Sequence, residues 1–437
     1  MRTNMPSYRS PGARPNRAGP WRPVLNGAQR EGALRTVQDI ADALRDPRLL
    51  PGRSSFSLAG GSAGLAVFFT YLSKALSEKE TAARSFLEET IATASDGPTE
   101  ASLYSGLAGV GWTAAHLHDR LAGLDAEDIA AEIDQTLRDH LTLSRWSDDY
   151  DLIEGLVGLG VYALERLPRP AAAALLERVI DHLAGTAEHR QEGITWRTDP
   201  AWLIPKTRQK YPHGYYNLGL AHGVPGVIAL LGHACAAGVA EDRARPLLDG
   251  AVRWLLAQQI TDGTLSAFPC WVGPDIPFEA ARLAWCYGDL GVAVSLLGAA
   301  RCVGEADWER AALVIAHRAA EWPADRSGVV DAGLCHGAAG VGHLFNRLFQ
   351  ATGEARFAEV ARFWFERTLA MRQPDRGIGG YLCWGPGEDG AMSWMAETGL
   401  LTGAAGVAVS LLSAATSVEP EWDRVLLVSV PPRVAAR

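Results

Sequence analysis

Two kinds of segment alternate along this 437-residue chain. One kind is polar, with apolar residues at helical spacing. Ile129, Ile133, Leu137 and Leu141 step by four between charges, and Leu175, Leu176, Val179, Ile180 and Leu183 draw a similar stripe. Stretches near residues 30–46, 76–95, 240–258, 305–322 and 354–373 read the same way. The other kind is almost wholly apolar and begins each time with Gly-x-x-Gly, at Gly61/Gly64, Gly106/Gly109, Gly155/Gly158, Gly223/Gly226, Gly288/Gly291, Gly337/Gly340 and Gly403/Gly406. One such pair means little, but seven at intervals of 45 to 68 residues define a repeat. Half-buried helices outside and fully buried ones inside predict an all-α fold. It is a double-layered α/α toroid (barrel) of seven helical hairpins, each unit an amphipathic helix, a connection and then a Gly-x-x-Gly inner helix. Glycine at these steps permits a tight turn and lets helix starts crowd around a narrow axis. β-branched alternation is too sparse to support a sheet.

Residues 398–418 carry no charge and, taken alone, have the look of a membrane span. Their Gly, Ala, Ser and Thr content, and the charged helices that alternate with such runs throughout, favour buried inner helices and no membrane span. Three connections are longer than the rest: 190–222, 259–287 and 374–402. They hold Trp196, Trp202, Tyr211, Tyr215, Tyr216, Trp271, Trp384 and Trp394 among Pro and Gly. Aromatic loops of this length line a peptide groove or cover the core as a lid; residues 190–218 read as a lid or a small inserted subdomain.

The expected organisation is a disordered basic N-terminal arm over 1–29, the toroid over 30–418 and a C-terminal tail over 419–437. The first 30 residues contain six arginines, several prolines, no acid and no apolar core of a secretory signal. Such an arm suits an acidic partner or a membrane surface, with an organelle transit peptide as the alternative. Apolar residues at 48% and charged ones at 21% describe an ordinary globular protein, and a net charge of −9 gives no case for nucleic-acid binding. Cysteines 235, 270, 286, 302, 335 and 383 lie far apart, in no disulfide framework, which favours a reducing compartment with thiols free for metal or catalysis.

Aligning the units on the first Gly sharpens the chemistry. Three positions earlier stand Leu58, Leu103, Leu152, Leu220, Trp285, Leu334 and Leu400, an apolar anchor in every unit. Immediately before the Gly come Gly60, Ser105, Glu154, His222, Tyr287, His336 and Thr402, and two before it Cys286 and Cys335 share a slot in adjacent units. Cys286, Cys335 and His336 form a Cys₂His set suited to zinc, and three protein ligands with an open position is the catalytic pattern. Consecutive residues point about 100° apart on a helix, so Cys335 and His336 can share an ion only from a turn or a first helical residue. His222 suits a proton carrier, or else a fourth zinc ligand, with His213 a weaker competitor for either part. Arg282 suits a carboxylate or a developing oxyanion, and alone would be an ordinary ion-pair residue. Asp151 and Glu154 either orient His222 or cap the helix that follows.

Taken together, Ala221-His222-Gly223, Arg282-Leu283-Ala284-Trp285-Cys286-Tyr287-Gly288, Cys335-His336-Gly337 and the seven Gly-x-x-Gly units resemble the lanthionine synthetase C-like family, the LanC cyclases, over most of the chain. That resemblance implies a double-layered α-toroid with Zn²⁺ at its centre, held by Cys286, Cys335 and His336. It implies that His222 moves the proton, with Asp151, Arg282 and Tyr287 in support. The implied reaction adds peptide Cys thiols to dehydroalanine and dehydrobutyrine, closing lanthionine and methyllanthionine rings in a ribosomally made peptide. The implied partners are the dehydrated precursor peptide, a separate dehydratase and an export transporter. The implied setting is cytoplasmic, or peripheral at the inner membrane within a biosynthetic complex. Two other readings stand beside it: addition of glutathione or another small thiol to dehydrated residues, and a non-catalytic zinc-stabilised scaffold that binds peptide. Prenyltransferase β-subunits and toroidal glycosidases fit the adjacent Cys-His and the sevenfold Gly-x-x-Gly poorly.

Overall fold

The computed structural model describes residues 20–46, 48, 55–95, 100–121, 127–142, 146–260, 264–274, 276–387 and 390–433. Positions 1–19 of the expected arm and the last four of the tail lie outside that set, as do the side chains of 127–129, Ile129 among them. Helix α1 (Gly27–Arg45) is followed by α2 (Ser62–Leu76), α3 (Thr81–Ser95), α4 (Leu107–Leu117), α5 (Glu127–Leu141), α6 (Leu156–Arg166) and α7 (Pro170–Thr186). The short α8 (Pro205–Lys210) precedes α9 (Val224–Ala237), α10 (Glu241–Ala257), α11 (Asp289–Val303), α12 (Ala306–Ala320), α13 (Ala338–Thr352), α14 (Ala355–Ala370) and α15 (Ala404–Ala415).

The seven apolar runs become α2, α4, α6, α9, α11, α13 and α15, and each packs on the next until α15 meets α2, which closes an inner ring. Around it lie the amphipathic helices. The predicted stripe on α7 buries Leu175, Leu176, Val179, Ile180 and Leu183 while Glu177 and Arg178 stay on its outer face. Each such side chain fully withdrawn from water contributes roughly 1.5–3 kcal/mol.

The pairing differs from the sequence expectation in one respect. Each inner helix forms its hairpin with the outer helix that follows it, not the one before: α2 with α3, α4 with α5, α6 with α7, α9 with α10, α11 with α12 and α13 with α14. Only Gly304 and Glu305 separate α11 from α12, and so short a link obliges antiparallel neighbours. The seventh inner helix, α15, takes α1 from the far end of the chain as its outer partner. Trp21, Val24 and Leu25, inside the stretch expected as an arm, are buried core residues. Trp21 Nε1 donates to Ser413 O (2.7 Å), and Val24 N and Leu25 N to Ala414 O (2.9 and 3.0 Å).

The C-terminal stretch is likewise drawn in. A 3₁₀ turn over Glu421–Leu426 enters the ring at the C-terminal ends of the inner helices, burying Trp422, Asp423, Val425 and Leu426. Tyr104 Oη donates to Val425 O and Trp285 Nε1 to Leu426 O, both at 3.0 Å.

The long connections hold small sheets that sparse β-branching does not announce. β1 (Glu188–Arg190) pairs with β2 (Gly193–Thr195), β3 (Arg197–Thr198) and β5 (Trp271–Val272) flank β4 (Tyr215–Asn217), and β6 (Cys383–Pro386) pairs with β7 (Met392–Met395). All are antiparallel strands of two to four residues that staple loop ends together, too short to show alternation. Among the described residues no helix is long and apolar enough to cross a membrane.

Candidate active site

A helix start leaves its first N–H groups without intrahelical partners. Here no inner helix uses a side-chain cap. The entering chain instead runs beside the first turn and offers its carbonyls. In the unit of Gly155, Leu156 N donates to Asp149 O (3.3 Å), Val157 N to Tyr150 O (3.1 Å) and Gly158 N to Asp151 O (3.3 Å). The units of Gly337 and Gly403 repeat the pattern. Such proximity requires glycine: a Cβ on Gly64, Gly158 or Gly226 would stand 2.6 Å from the carbonyl oxygen of its own anchor, Leu58, Leu152 or Leu220. A Cβ on Gly158 would also stand 2.9 Å from the Cβ of Leu103, and Leu58, Leu220, Leu334 and Leu400 likewise fill the gap beside the glycine of a neighbouring unit. All seven anchors are at most 1% exposed.

Backbone bonds then pass from unit to unit around the axis. Leu152 N donates to Ala221 O, Ala221 N to Cys286 O, Cys286 N to Cys335 O, Cys335 N to Leu401 O, Leu401 N to Ala59 O and Ala59 N to Tyr104 O, at 2.7 to 3.4 Å. This chain of bonds puts Cys286 and Cys335 on hydrogen-bonded neighbouring loops.

The donor atoms of Cys286, Cys335 and His336 all lie within 4.8 Å of one another, forming the one group of its kind among the described residues. Tetrahedral zinc at bond lengths of about 2.1–2.3 Å would hold such atoms roughly 3.5–3.8 Å apart, so the set needs little adjustment. Cys335 and His336 converge because they precede Gly337, which is extended (φ −101°, ψ −176°), and so lie before the helix. The Cys335 S–H bonds to Cys286 and holds that thiol well below its ordinary pKa, against burial and with help from His336. The same bond, with burial, pushes Cys335 well above its ordinary value. Two sulfurs and an imidazole are donors that zinc takes, and three of them leave one position open.

Around this cluster the loops place the remaining expected residues. His222 Nδ1 donates to Asp151 Oδ2 at 2.7 Å, which leaves Nε2 free to face the ring's mouth. Asp151 Oδ1 meanwhile accepts from Glu154 N (2.8 Å) and Gly155 N (3.1 Å), so one buried carboxylate both pins the turn and orients the imidazole. Burial disfavours the imidazolium, but the Asp151 bond and charge more than offset it and raise the His222 pKa. Tyr287 stacks on His222 with ring centres 5.8 Å apart, and Asn217 Nδ2 donates to the Tyr287 hydroxyl (3.1 Å). Gly288, which follows, has φ +92°, a backbone that favours glycine. Arg282 is exposed, makes no hydrogen bond among the described residues, and its charge favours the thiolate forms of both cysteines.

Two expected residues are not brought in. His213 is exposed between α8 and β4, away from the cluster. Glu154 is exposed beside the turn and forms no bond to His222 among the described residues.

Other residues escaped sequence reasoning. Asn217 supports Tyr287, and Asp331, four residues before Cys335, accepts from Gly333 N (3.0 Å) and from Trp384 N (2.9 Å), tying the β6–β7 hairpin to the Cys335 loop. Cys270 lies close enough for the Cys286 and Arg282 charges to act on it, and burial pushes its thiol up to about 11. The signal lay three positions before the anchors: six positions before each first Gly stand Ser55, Glu100, Asp149, Asn217, Arg282, Asp331 and Glu397, a polar residue in every unit.

Comparison with known proteins agrees with this architecture. The model of a family described as lanthionine synthetase C-like protein matches residues 53–427. Among solved structures, nisin cyclase superposes with a TM-score of 0.69 at 19% identity, over 92% of this chain and 97% of that one. A sugar epimerase from a ruminal bacterium aligns more loosely, with a TM-score of 0.49 at 11% identity, over 87% of this chain and 98% of that one.

Proposed function

This chain belongs to the lanthionine synthetase C-like family, and from that premise we propose that it is a zinc-dependent cyclase that adds peptide cysteine thiolates to dehydroalanine or dehydrobutyrine. The observation that carries the reading is the convergence of Cys286, Cys335 and His336 within 4.8 Å at the mouth of the ring. Zinc held by those three side chains supplies acidification of the substrate thiol, which free in water would be only a few per cent ionised at neutral pH.

The chain's own residues do the rest. The substrate sulfur adds to the β-carbon, and the double-bond electrons move to the α-carbon and its carbonyl as an enolate. The unpaired Arg282 guanidinium, whose charge already reaches the cysteine cluster, holds the enolate oxygen. His222, kept protonated longer by Asp151, delivers its Nε2 proton to the α-carbon. Asp151 fixes the tautomer by accepting from Nδ1, and the Tyr287 ring limits the imidazole's freedom to turn. The net change is addition of S–H across C=C, with no oxidant or leaving group. A dehydrated precursor peptide is the substrate, made by a separate dehydratase, and the product is passed to an export transporter.

Co-expression with a precursor peptide and its dehydratase tests the reading. Thioether formation leaves peptide mass unchanged but removes a free thiol. Mass spectrometry after thiol alkylation should therefore show one adduct fewer per ring when the chain is present. An unchanged adduct count across dehydrated peptides of varied sequence would defeat it.

A further inference from the structure

Under the Gly106 and Gly155 units, against the turn that carries Asp151, the ring has a concavity of about 450 Å³, within the size range of small-ligand sites. Its wall holds four carboxylates, Glu100, Asp148, Asp149 and Glu154, and no lysine or arginine. None of the four forms an ion pair among the described residues, although acids elsewhere in the protein do, such as Asp181 with Arg243 and Glu305 with Arg245. Burial, then the Asp151 charge, pushes the Asp149 carboxyl up to about 7, and burial followed by Glu100 raises Glu154. Glu100 thus repels Glu154, Asp151 repels Asp149, and no lysine or arginine on the wall offsets them.

The remaining walls are aromatic and pinned. Trp146 Nε1 donates to Asp149 O (2.8 Å) and Trp202 Nε1 to Ser147 O (3.1 Å), which fixes both indoles against the loop that carries the acids. The basic group on the wall, His140, meets Trp146 edge-on at 5.4 Å. Independently of the acids, the Ser102 hydroxyl, on a residue 3% exposed, faces this cavity without a well-formed partner; the Glu154 carboxylate approaches it outside hydrogen-bond geometry. A ligand with an apolar stem, a positive head and several N–H donors satisfies the acids, the indole faces and the idle hydroxyl at once. The wall adjoins the proton carrier through one turn, because Asp149 and Glu154 flank Asp151, which accepts from His222 Nδ1 and from Glu154 N.

We propose that this cavity receives a lysine or arginine side chain of the substrate peptide and so sets which neighbouring dehydro residue is presented to His222. The proposal deepens the cyclase reading and rests on it.

Two measurements separate the two. The first needs no turnover: the zinc-loaded protein is titrated with Nα-acetyl-lysine methylamide and with its Nε-acetylated, neutral counterpart, following tryptophan fluorescence. Saturable quenching by the cation alone is expected, weakened about tenfold in a Glu100→Gln, Asp148→Asn double variant and by raised salt. The second uses model peptides with one cysteine and one dehydroalanine, in which a single lysine is moved along the sequence against glutamine controls. At one spacing lysine should lower KM about tenfold with kcat unchanged, and the double variant should erase that difference while cyclising the glutamine peptide at the parent rate. Equal quenching by charged and neutral amides, or a lysine preference that survives in the double variant, overturns the proposal. Cyclisation without any lysine dependence overturns it too and leaves the cyclase reading standing. Selective cation binding with no cyclisation of any peptide overturns the cyclase reading itself.

Discussion

The two ends of the inner ring are built from the same seven helices and hold their charges in opposite ways. At the end where those helices begin, Cys335, His336 and His222 are only partly enclosed beside the buried Cys286, and the exposed Arg282 guanidinium has no hydrogen-bonded partner among the described residues. At the end where they finish, charge is buried and saturated. Asp423, wholly buried, accepts from His343 Nε2 (2.7 Å), Arg347 Nη2 (2.7 Å) and Ser429 Oγ (2.8 Å). Nearby, His116 lies between Tyr71 Oη (3.0 Å) and Glu165 Oε1 (2.9 Å). A satisfied buried network rigidifies, and an unsatisfied half-exposed one is available for chemistry. The C-terminal stretch makes the difference, because it fills one mouth of the ring and leaves the other open.

The largest effect expected at the open end is that of Cys335→Ala. It should remove bound zinc, read by elemental analysis, and cyclisation with it, while the fold persists by circular dichroism. Retention of full zinc would show that the ion is held elsewhere. His222→Asn should keep zinc and slow protonation by about 10²–10⁴-fold, the usual contribution of a positioned acid. A normal rate in that variant would remove His222 from the mechanism.

At the closed end the expected effects are on stability. Asp423→Asn leaves Arg347 and His343 facing a neutral group in the core and should cost about 3–5 kcal/mol in denaturant unfolding, with zinc content of the folded protein unchanged. Loss of zinc there would mean that the two ends are coupled. The pH dependence should also divide the ends. Burial first, opposed by Glu165, holds the His116 pKa down to about 4 from an ordinary 6.5. Because the folded value is the lower one, its contribution is complete above about pH 6.5 and is lost as pH falls towards 4. At the open end the raised Asp149 value, about 7, has the reverse sign, its contribution being lost as pH rises through 7. The two windows overlap, 4 to 6.5 for His116 and 3.8 to 7 for Asp149, and their slopes oppose, so thermal midpoints should change little across them. His116→Gln should remove the rising component and leave a midpoint that falls as pH rises towards 7, and a profile unchanged by that substitution would reassign it.

The smallest effect is expected in the packing of the helix starts, at the first turn of α6. Gly158→Ala puts a Cβ 2.6 Å from Leu152 O and 2.9 Å from Leu103 Cβ, which should cost about 1–3 kcal/mol through overpacking. A neutral result would show that the anchors do not set the ring's spacing.

How much of this was legible in the chain depends on whether a feature repeats. The inner helices, the anchors and the slots of Cys286, Cys335, His336 and His222 were legible because each unit solves the same packing problem and so marks the same positions. Asp149 and Asn217 stood in a repeating slot as well, one turn of chain further back than the alignment was carried. The loop strands were not legible, since two to four residues show no period.

What the sequence determined by itself is therefore the repeat and the register: where each buried helix begins, and which side chains share a height on the axis. Only the folded chain decided the rest. That α1 closes on α15, that residues 421–428 stop one mouth, and that one Asp151 carboxylate serves both a turn and His222 are contacts between residues tens to hundreds of positions apart. Local periodicity reports which face of an element is apolar, and it is silent on which distant element will cover that face.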